Sequence, residues 1–299
     1  SFNPNDDAAV WNTNVRGVEH VLEFIAGSNV PLYHVSTAYV AGGREGTVYE
    51  YELDGRYGFT NTYESSKWEA ERLVRSAFLE GASSGAIFRP GILVGASASG
   101  AISDFQNVYK FLRLLDLACI QNNPGGTIRI EGQPDTLSNL LPVDWAAKAM
   151  WEIIDHDGPE CRTYHLTNPG ANTLGEFAEW ANERLAEAGV TIEFVSESSG
   201  RLSSMEALAV KALRHYLPYT KGQPYFDSTC TRKATRTRVP FPEIDRNFYD
   251  RLYAYARARQ WKGVVRGPAQ LSMFGSVSTH KTARRAFAVA ASVPAGVAH

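Results

Sequence analysis

Tyr63 and Lys67 stand four residues apart in the segment Tyr-Glu-Ser-Ser-Lys. Residues at this spacing share one face of a helix, so a phenol and an ammonium group would lie side by side. The reference pKa of a phenol is about 10, and a fixed cation nearby lowers that pKa by favouring the phenolate. Such a tyrosine can exchange a proton with a carbonyl or alcohol oxygen while a redox cofactor moves a hydride. The pair therefore predicts acid–base chemistry at an oxygen atom.

Hydroxyl groups and a strand breaker stand on either side of this pair, at the ends of two predicted strands. The apolar run from Leu32 to Val35 ends in Ser36 and Thr37, and the run from Ala86 to Phe88 is stopped by Arg89-Pro90. Parallel sheets present side chains to a ligand at the carboxyl ends of their strands. We therefore expect Thr37 and the tyrosine to meet in one crevice.

The surrounding elements alternate between strand and helix. Helical periodicity covers residues 8–27 and 63–79, and the two short apolar strands follow these segments in turn. This order predicts an α/β fold with a parallel, doubly wound sheet. Beyond residue 100 the pattern is mostly helical, with strands near 127–131, 162–167 and 190–195 and a loop from Tyr219 to Pro242.

Composition and charge narrow the function classes. The net charge of -2 offers no attraction to nucleic acid or to anionic lipid. The three cysteines form no CxxC, and no two histidines have metal-ligand spacing, so we expect no metal and no disulfide framework. No run of about 20 apolar residues occurs, so no membrane span is predicted. A small-molecule substrate and a reducing, cytoplasmic location are expected.

Three segments together resemble the extended short-chain dehydrogenases: His34-Val-Ser-Thr-Ala-Tyr-Val40, Tyr63-Glu-Ser-Ser-Lys-Trp-Glu-Ala-Glu-Arg-Leu73 and Arg89-Pro-Gly-Ile-Leu-Val-Gly95. Within that superfamily the chain is most similar to the fatty-acyl and thioester reductase branch, the male-sterility type of NAD-binding domain. The resemblance covers roughly residues 8–180.

The resemblance implies a role for each matching residue. The hydroxyl of Thr37 would hydrogen-bond the reacting oxygen, Tyr63 would donate or accept the proton, and Lys67 would also hold the nicotinamide ribose. Asn14, in the Asn-x-x-Gly segment that ends at Gly17, would order a proton-relay water. The implied cofactor is NADP or NAD, with NADP favoured, and its expected contacts are Ser36, Tyr63, Lys67 and the loop Pro90, Gly91 and Ile92.

The glycine-rich turn of the superfamily, GxxGxxG after the first strand, is absent from the sequence. By the resemblance, on the order of 90 residues carrying that turn would precede Ser1. We therefore predict an incomplete Rossmann-like domain at 1–125, a smaller and mostly helical substrate-binding region at 126–265 with a returning strand near 162–167, and a tail at 266–299. The missing half would come from a longer protein or from a partner chain, and a homo-oligomer is a further alternative.

The implied function is NAD(P)-dependent reduction of a carbonyl, an aldehyde or an acyl thioester, the last bound to a carrier or to CoA. A nucleotide-sugar epimerase is one alternative, and a non-catalytic or partner-dependent subunit is another. The basic run from Arg232 to Arg238 is a solvated loop or a phosphate-binding surface. Arg89 is expected to pair structurally and His34 to sit in the core. One group of aromatic residues is expected either to line an acyl channel or to pack in the core: Tyr216, Tyr219, Tyr225 and Phe226.

Overall fold

A computed structural model describes residues 6–120, 126–156, 162–170, 172–197, 200–235 and 238–263. The predicted tail at 266–299 lies outside these residues. The helices are α1 (Asp7–Trp11), α2 (Gly17–Ile25), α3 (Thr62–Leu79), α4 (Val108–Ile120), α5 (Val143–His156), α6 (Leu174–Leu185), α7 (Ser204–Leu213), α8 (Thr229–Thr235) and α9 (Arg246–Ala258). The strands are β1 (Leu32–Val35), β2 (Thr47–Val48), β3 (Gly85–Pro90), β4 (Ile92–Val94), β5 (Gly126–Glu131), β6 (Leu140–Pro142), β7 (Arg162–Leu166), β8 (Val190–Val195) and β9 (Tyr225–Phe226).

The central sheet has three parallel strands in the order β1-β3-β7. Its register runs from Leu32 beside Gly85 to Val35 beside Phe88, and Pro90 of β3 lies beside Leu166 of β7. All six residues of β3 are buried, as expected for a strand covered on both faces. The predicted β1 has the same bounds in the structure.

Helices cover both faces of this sheet. On one face, α2 and α3 pack Val18, Ala70 and Val74 against Leu32 and Ile87. On the other face, α5 packs a second set of side chains against the sheet, and the buried members of that cluster include Tyr33, Ala86, Phe88, Trp145, Ala149, Ile153 and Tyr164. Alternate residues of β3 thus point to opposite layers, which gives the doubly wound arrangement that the sequence predicts.

A second core lies in the C-terminal part of the chain. The parallel pair β5–β8 and the helices α4, α6, α7 and α9 enclose it. Its buried side chains are mainly aliphatic and aromatic, among them Leu112, Phe177, Trp180, Phe248 and Leu252. Two further parallel pairs, β4–β6 and β2–β9, lie outside the central sheet.

The prediction of a loop at Pro90-Gly91-Ile92 is wrong. Pro90 is the last residue of β3, and Ile92 begins β4. Proline, which has no N–H, is tolerated where the strand ends, and the next amide, that of Gly91, donates to the Leu166 carbonyl at 2.9 Å. A Cβ on Gly91 would lie 2.6 Å from the Asn139 carbonyl oxygen, so the two backbones meet too closely for any other residue. The chain passes directly from one sheet to the next.

The loop predicted from Tyr219 to Pro242 also differs, because it contains β9 and the short helix α8. Asp227 accepts hydrogen bonds from the amide and hydroxyl of Thr229. The buried carboxylate of Glu50 accepts from the amides of Cys230 and Thr231, at 2.6 and 3.0 Å. A carboxylate at a helix N-terminus satisfies amides that have no partner within the helix. The helix is thus stabilised by a residue about 180 positions earlier.

Across the part of the chain that the structure describes, no helix is long and apolar enough to cross a membrane.

Candidate active site

Thr37 and Tyr63 meet at the carboxyl end of the central sheet. Tyr63 stands in the first turn of α3, and Thr37 follows β1 in an extended conformation. The hydroxyl of Thr37 hydrogen-bonds the Tyr63 phenol. It also lies 3.4 Å from the Pro90 carbonyl oxygen at the end of β3. The structure therefore brings together Thr37, Tyr63 and Pro90. The sequence predicts that Thr37 and Pro90 lie at two neighbouring strand ends and that Tyr63 lies on the helix between these strands.

Lys67 lies one turn further along α3 and is buried. Its Nζ donates a 3.0 Å hydrogen bond to the carbonyl of Val35, the last residue of β1. Burial lowers the pKa of Lys67 to about 8, and the carboxylate of Glu71 opposes this shift. Lys67 is thus fixed against the strand end that leads to Thr37.

The pKa of Tyr63 is raised in the structure because the phenol is shielded from solvent. The hydrogen bond with Thr37 opposes this shift, and the nearby carboxylate of Glu64 adds to it. Lys67 is not among the groups that shift this pKa, so the expectation of a phenol tuned downward by the lysine is wrong for this state of the protein. The ammonium of Lys67 is directed at Val35 instead.

Asn14 reaches α3 from a π-helical turn. The turn, Asn12–Arg16, joins α1 to α2. Asn14 is buried, and its Nδ2 donates to the Ser66 hydroxyl at 2.9 Å, next to Lys67 in α3. Single π turns within α-helices recur at functional sites. The structure therefore places Asn14 beside the predicted acid–base pair, and its role in a proton relay stays a prediction.

Ser36 is oriented differently from Thr37. Its hydroxyl is buried beside Glu71, where it helps to lower the pKa of that carboxyl. The hydroxyl of Ser36 thus interacts with a charged group of the protein itself, and its contact with the cofactor stays a prediction.

This network is centred on Arg89 and Glu71, which are both fully buried. The guanidinium of Arg89 donates two hydrogen bonds to the Glu71 carboxylate, at 3.0 and 2.6 Å. Burial alone would raise the pKa of Glu71, but the charge of Arg89 reverses the shift and holds the pKa at about 2. Arg89 therefore pairs structurally, as the sequence indicates.

His165 extends the network to β7. Arginine can only donate, so the 3.1 Å contact from Arg89 makes Nε2 of His165 the acceptor and leaves the proton on Nδ1. Nδ1 in turn donates to the Asp227 carbonyl at 2.7 Å. Burial, reinforced by the charge of Arg89, lowers the pKa of His165 to about 3. The ring is therefore neutral and held in one tautomer.

Three further residues around the start of α3 are not among the predicted site residues. Asn61 caps the helix, because its Oδ1 accepts from the amide of Glu64 at 3.1 Å. The Tyr219 hydroxyl donates a short hydrogen bond to the Glu64 carboxylate, and Nδ2 of Asn61 donates to the Tyr219 oxygen at 2.8 Å. The spacing Asn61-x-x-Glu64 is that of a capping box, a signal that is present in the sequence. Nothing in the sequence links Tyr219 to them.

Within the described ranges, no three His, Cys, Asp or Glu side chains are grouped so that they could hold a metal ion.

A parallel sheet covered by helices on both faces is a Rossmann-like, doubly wound fold. A Tyr-x-x-x-Lys helix at the carboxyl end of its strands is what the resemblance to the extended short-chain dehydrogenases implies. Residues 4–150 match the model of a family described as male sterility protein, an NAD-binding domain.

Similar proteins include reductases and large synthetases. The chain is 26% identical over 265 residues to a linear gramicidin synthase protein of Brevibacillus parabrevis, which is 83% of this chain and 5% of that protein. It is 25% identical over 153 residues to a carboxylic acid reductase of Mycobacterium tuberculosis, which is 50% of this chain and 13% of that protein. The chain thus spans a small part of these relatives.

Among solved structures, the terminal R domain of the myxalamid PKS-NRPS biosynthetic pathway superposes with a TM-score of 0.66 and 25% identity. The match covers 83% of this chain and 64% of that domain. It confirms the Rossmann-like α/β fold and the resemblance to the thioester reductase branch.

Proposed function

We propose that this chain carries the proton-transfer half of a nicotinamide-dependent reductase whose substrate is an acyl thioester bound to a carrier, or the aldehyde derived from it. The observation that supports this proposal best is the convergence of Thr37, Tyr63 and Lys67 at one end of the central sheet. The carrier-bound substrate is proposed because one similar structure is an R domain from a PKS-NRPS pathway.

Tyr63 is suited to act as the proton donor in a reduction. A phenol, whose reference pKa is about 10, is protonated at neutral pH, so it can donate a proton to a carbonyl oxygen that gains negative charge. Thr37, already hydrogen-bonded to the phenol, is placed to donate to the same oxygen. Two donors on one oxygen stabilise the charge that develops there.

The residues of this site fit the nicotinamide end of the cofactor. Lys67 has three N–H donors, of which Val35 takes one, so it can also bind the hydroxyl groups of a ribose. When bound, a reduced nicotinamide supplies the hydride. Pro90, Gly91 and Ile92 are proposed neighbours of the ring, since Thr37 contacts the Pro90 carbonyl.

The pyrophosphate end of the cofactor requires a different segment. Phosphates are bound by a glycine-rich turn at a helix N-terminus, and no such turn occurs in this sequence. We therefore propose that another part of the assembled protein, in the same polypeptide or in a partner chain, binds the phosphates. That segment would also select between NADP and NAD.

The test is reduction of an acyl thioester and of an aldehyde by the full-length protein, followed as loss of reduced nicotinamide absorbance with NADPH and with NADH. Tyr63→Phe is expected to lower kcat by about 10²- to 10⁴-fold, the usual contribution of a general acid. Tyr51→Phe is the matched control because its side chain is 74% exposed, and it should leave kcat unchanged.

Two results would contradict the proposal. Turnover of a nucleotide sugar without net consumption of reduced nicotinamide would indicate the epimerase. Full reductase activity in the Tyr63→Phe variant would show that the proton comes from elsewhere, and this chain would then be a non-catalytic subunit.

A further inference from the structure

Tyr219 connects the C-terminal part of the chain to the first turn of the catalytic helix. It lies in a 3-10 turn, Leu217–Thr220, and is 155 residues away from Glu64 in the sequence. Its hydroxyl donates to the Glu64 carboxylate and accepts from Nδ2 of Asn61 at 2.8 Å. The phenol oxygen thus joins the two side chains that cap α3.

The capping group surrounds Tyr63. Asn61 accepts the amide of Glu64 at 3.1 Å, and Glu64 accepts the amide of Thr60 at 2.8 Å. Tyr63 stands between these residues in the sequence, so its backbone position depends on the cap. The first turn of a helix makes few hydrogen bonds of its own, and side-chain caps hold it in place.

The turn that carries Tyr219 is itself rigidly held. Thr220 is buried, and its hydroxyl donates to the carbonyl of Glu131, the last residue of β5, at 2.6 Å. The Thr220 carbonyl accepts from the amide of Gln133 at 2.8 Å and from the hydroxyl of Thr136 at 3.1 Å. A displacement of the β5 end would therefore move Tyr219 and, through it, the cap.

We propose that Tyr219 is a positioning residue for the reaction, which couples the substrate-binding region to the placement of Tyr63 through the Asn61–Glu64 cap of α3. This inference rests on the proposed reductase function. The ring of Tyr219 also packs edge-on against Tyr39, with 5.4 Å between the ring centroids, and Tyr39 follows Thr37 by two residues. Both hydroxyl-bearing segments of the site are thus in contact with the same phenol.

The experiment compares Tyr219→Phe with Tyr216→Phe in the full-length protein. Tyr216 lies three residues earlier, and its hydroxyl accepts from the Asn107 amide at 3.4 Å, so this variant also removes a bonded hydroxyl but not one at the cap. Tyr219→Phe is expected to lower kcat about ten-fold or more with KM for the nicotinamide within two-fold, because small misplacements of reacting groups are costly. Tyr216→Phe should keep the kcat of the unmodified protein.

Substitutions of Glu64 test whether an acceptor for the Tyr219 hydroxyl is needed. Glu64→Gln keeps one acceptor oxygen, which can receive the Tyr219 hydroxyl, but its NH2 group replaces the oxygen that accepts the Thr60 amide, so it should retain more kcat than Glu64→Ala. Glu64→Ala removes the acceptor and should lower kcat as much as Tyr219→Phe does. The inference is overturned if Tyr219→Phe keeps kcat within two-fold, if Tyr216→Phe loses as much, or if Glu64→Gln and Glu64→Ala are equally impaired.

Amide hydrogen exchange separates this inference from the proposed function. Exchange at the amides of Glu64 and Ser65 should become faster in Tyr219→Phe than in Tyr216→Phe, whether or not the protein reduces any substrate tested. If the unmodified protein shows no reductase activity, the proposed function fails, and the exchange result alone then decides whether Tyr219 holds the cap. Unchanged exchange in Tyr219→Phe would overturn the inference.

Discussion

The interior around the central sheet differs in chemistry from the interior of the C-terminal part. Beside β1, β3 and β7 the buried side chains include Glu71, Arg89 and His165, all linked by hydrogen bonds. Around β5–β8 the buried side chains are mainly aliphatic and aromatic, with the ring centroids of Phe177 and Trp180 5.6 Å apart. One buried carboxylate there, that of Asp116, accepts hydrogen bonds from Tyr253 and Trp261. The interior around the central sheet therefore contains charged groups joined by directional hydrogen bonds. The C-terminal interior is held mainly by burial of apolar surface.

This difference follows from the site that the central sheet must position. A hydrogen-bonded ion pair fixes the angles and separations of its partners, whereas apolar burial is non-directional and depends on volume. Glu71 lies one turn after Lys67 on α3, and Arg89 immediately precedes Pro90 at the site. The polar network thus fixes the helix and the strand that carry the proposed catalytic groups.

The largest loss in the free energy of unfolding is expected from Arg89→Met in the central network. The substitution leaves the Glu71 carboxylate buried without its main partner, which typically costs about 3–5 kcal/mol. The control is Arg72→Met in α3. Arg72 pairs with Glu69 while its own side chain is 47% exposed, so its loss should change stability by at most about 1 kcal/mol. Urea unfolding measures both. Equal losses of stability in the two variants would show that the buried ion pair contributes no more than an exposed one.

Leu252→Ala tests the apolar interior. Leu252 is fully buried in α9, and loss of such a side chain costs about 2–5 kcal/mol, here expected near 3. Leu252 lies in α9, which contributes none of the hydrogen bonds described at Thr37, Tyr63, Lys67 or Tyr219, so kcat should stay near that of the unmodified protein at a temperature where the variant is folded. Arg89→Met should lower both stability and kcat. The partly exposed Leu202→Ala is the matched control. A fall in kcat for Leu252→Ala would remove the distinction between the two interiors.

Acid should destabilise the central sheet first. Burial, together with the charge of Lys67, lowers the pKa of His34 to about 3, and that of His165 is also about 3. The unfolded chain binds these protons below about pH 6.5, so stability is complete above that pH and falls as the pH drops from 6.5 towards 3. Each histidine contributes a slope of at most about 1.4 kcal/mol per pH unit. Glu71, whose pKa is held at about 2, adds a further loss below pH 4.5.

The measurement is the free energy of unfolding between pH 8 and pH 4. His34→Gln should reduce the slope of stability against pH below 6.5, and His20→Gln, at an exposed position, should leave it unchanged. A slope that His34→Gln does not alter would contradict the assignment of acid sensitivity to this buried ring.

The smallest effects are expected at the helix caps. Thr173 caps α6 through a capping box with Glu176, and Thr173→Ala should cost about 1 kcal/mol with no change in kcat. Asn61→Ala removes a cap and also the contact with Tyr219, so it should cost more and lower kcat as well. Thermal unfolding and turnover of the two variants test this. Equal behaviour would mean that Asn61 is an ordinary cap.

Much of the fold could be predicted because its signals are local. The apolar run at β1 and the periodicity of α3 each fit within one element, and Tyr63 and Lys67 follow from spacing on a helix. The meeting of Thr37 with Tyr63 could be predicted as well, since strand ends of a parallel sheet share one edge.

Contacts between distant segments could not be predicted. The carboxylate of Glu50 that stabilises α8 and the phenol of Tyr219 that joins the cap of α3 are tertiary contacts over about 180 and 155 residues. The pKa of Tyr63 is raised, whereas the spacing of Tyr63 and Lys67 predicts a lowered pKa. The cause is again tertiary, because the folded chain buries the phenol. The continuation of β3 through Pro90 likewise depends on the neighbouring β7.

The π-helical turn at Asn12–Arg16 also sets the rotation of Asn14 about the helix axis. Val10 and Val15 are both buried although they are five positions apart, a spacing that a regular α-helix would place on different faces. Deletion of the single codon for Arg16, whose side chain is 63% exposed, would restore a regular helix and rotate Asn14 by about 100° away from Ser66. A variant with this deletion should therefore lose the hydrogen bond between Asn14 and Ser66 while keeping the rest of the fold.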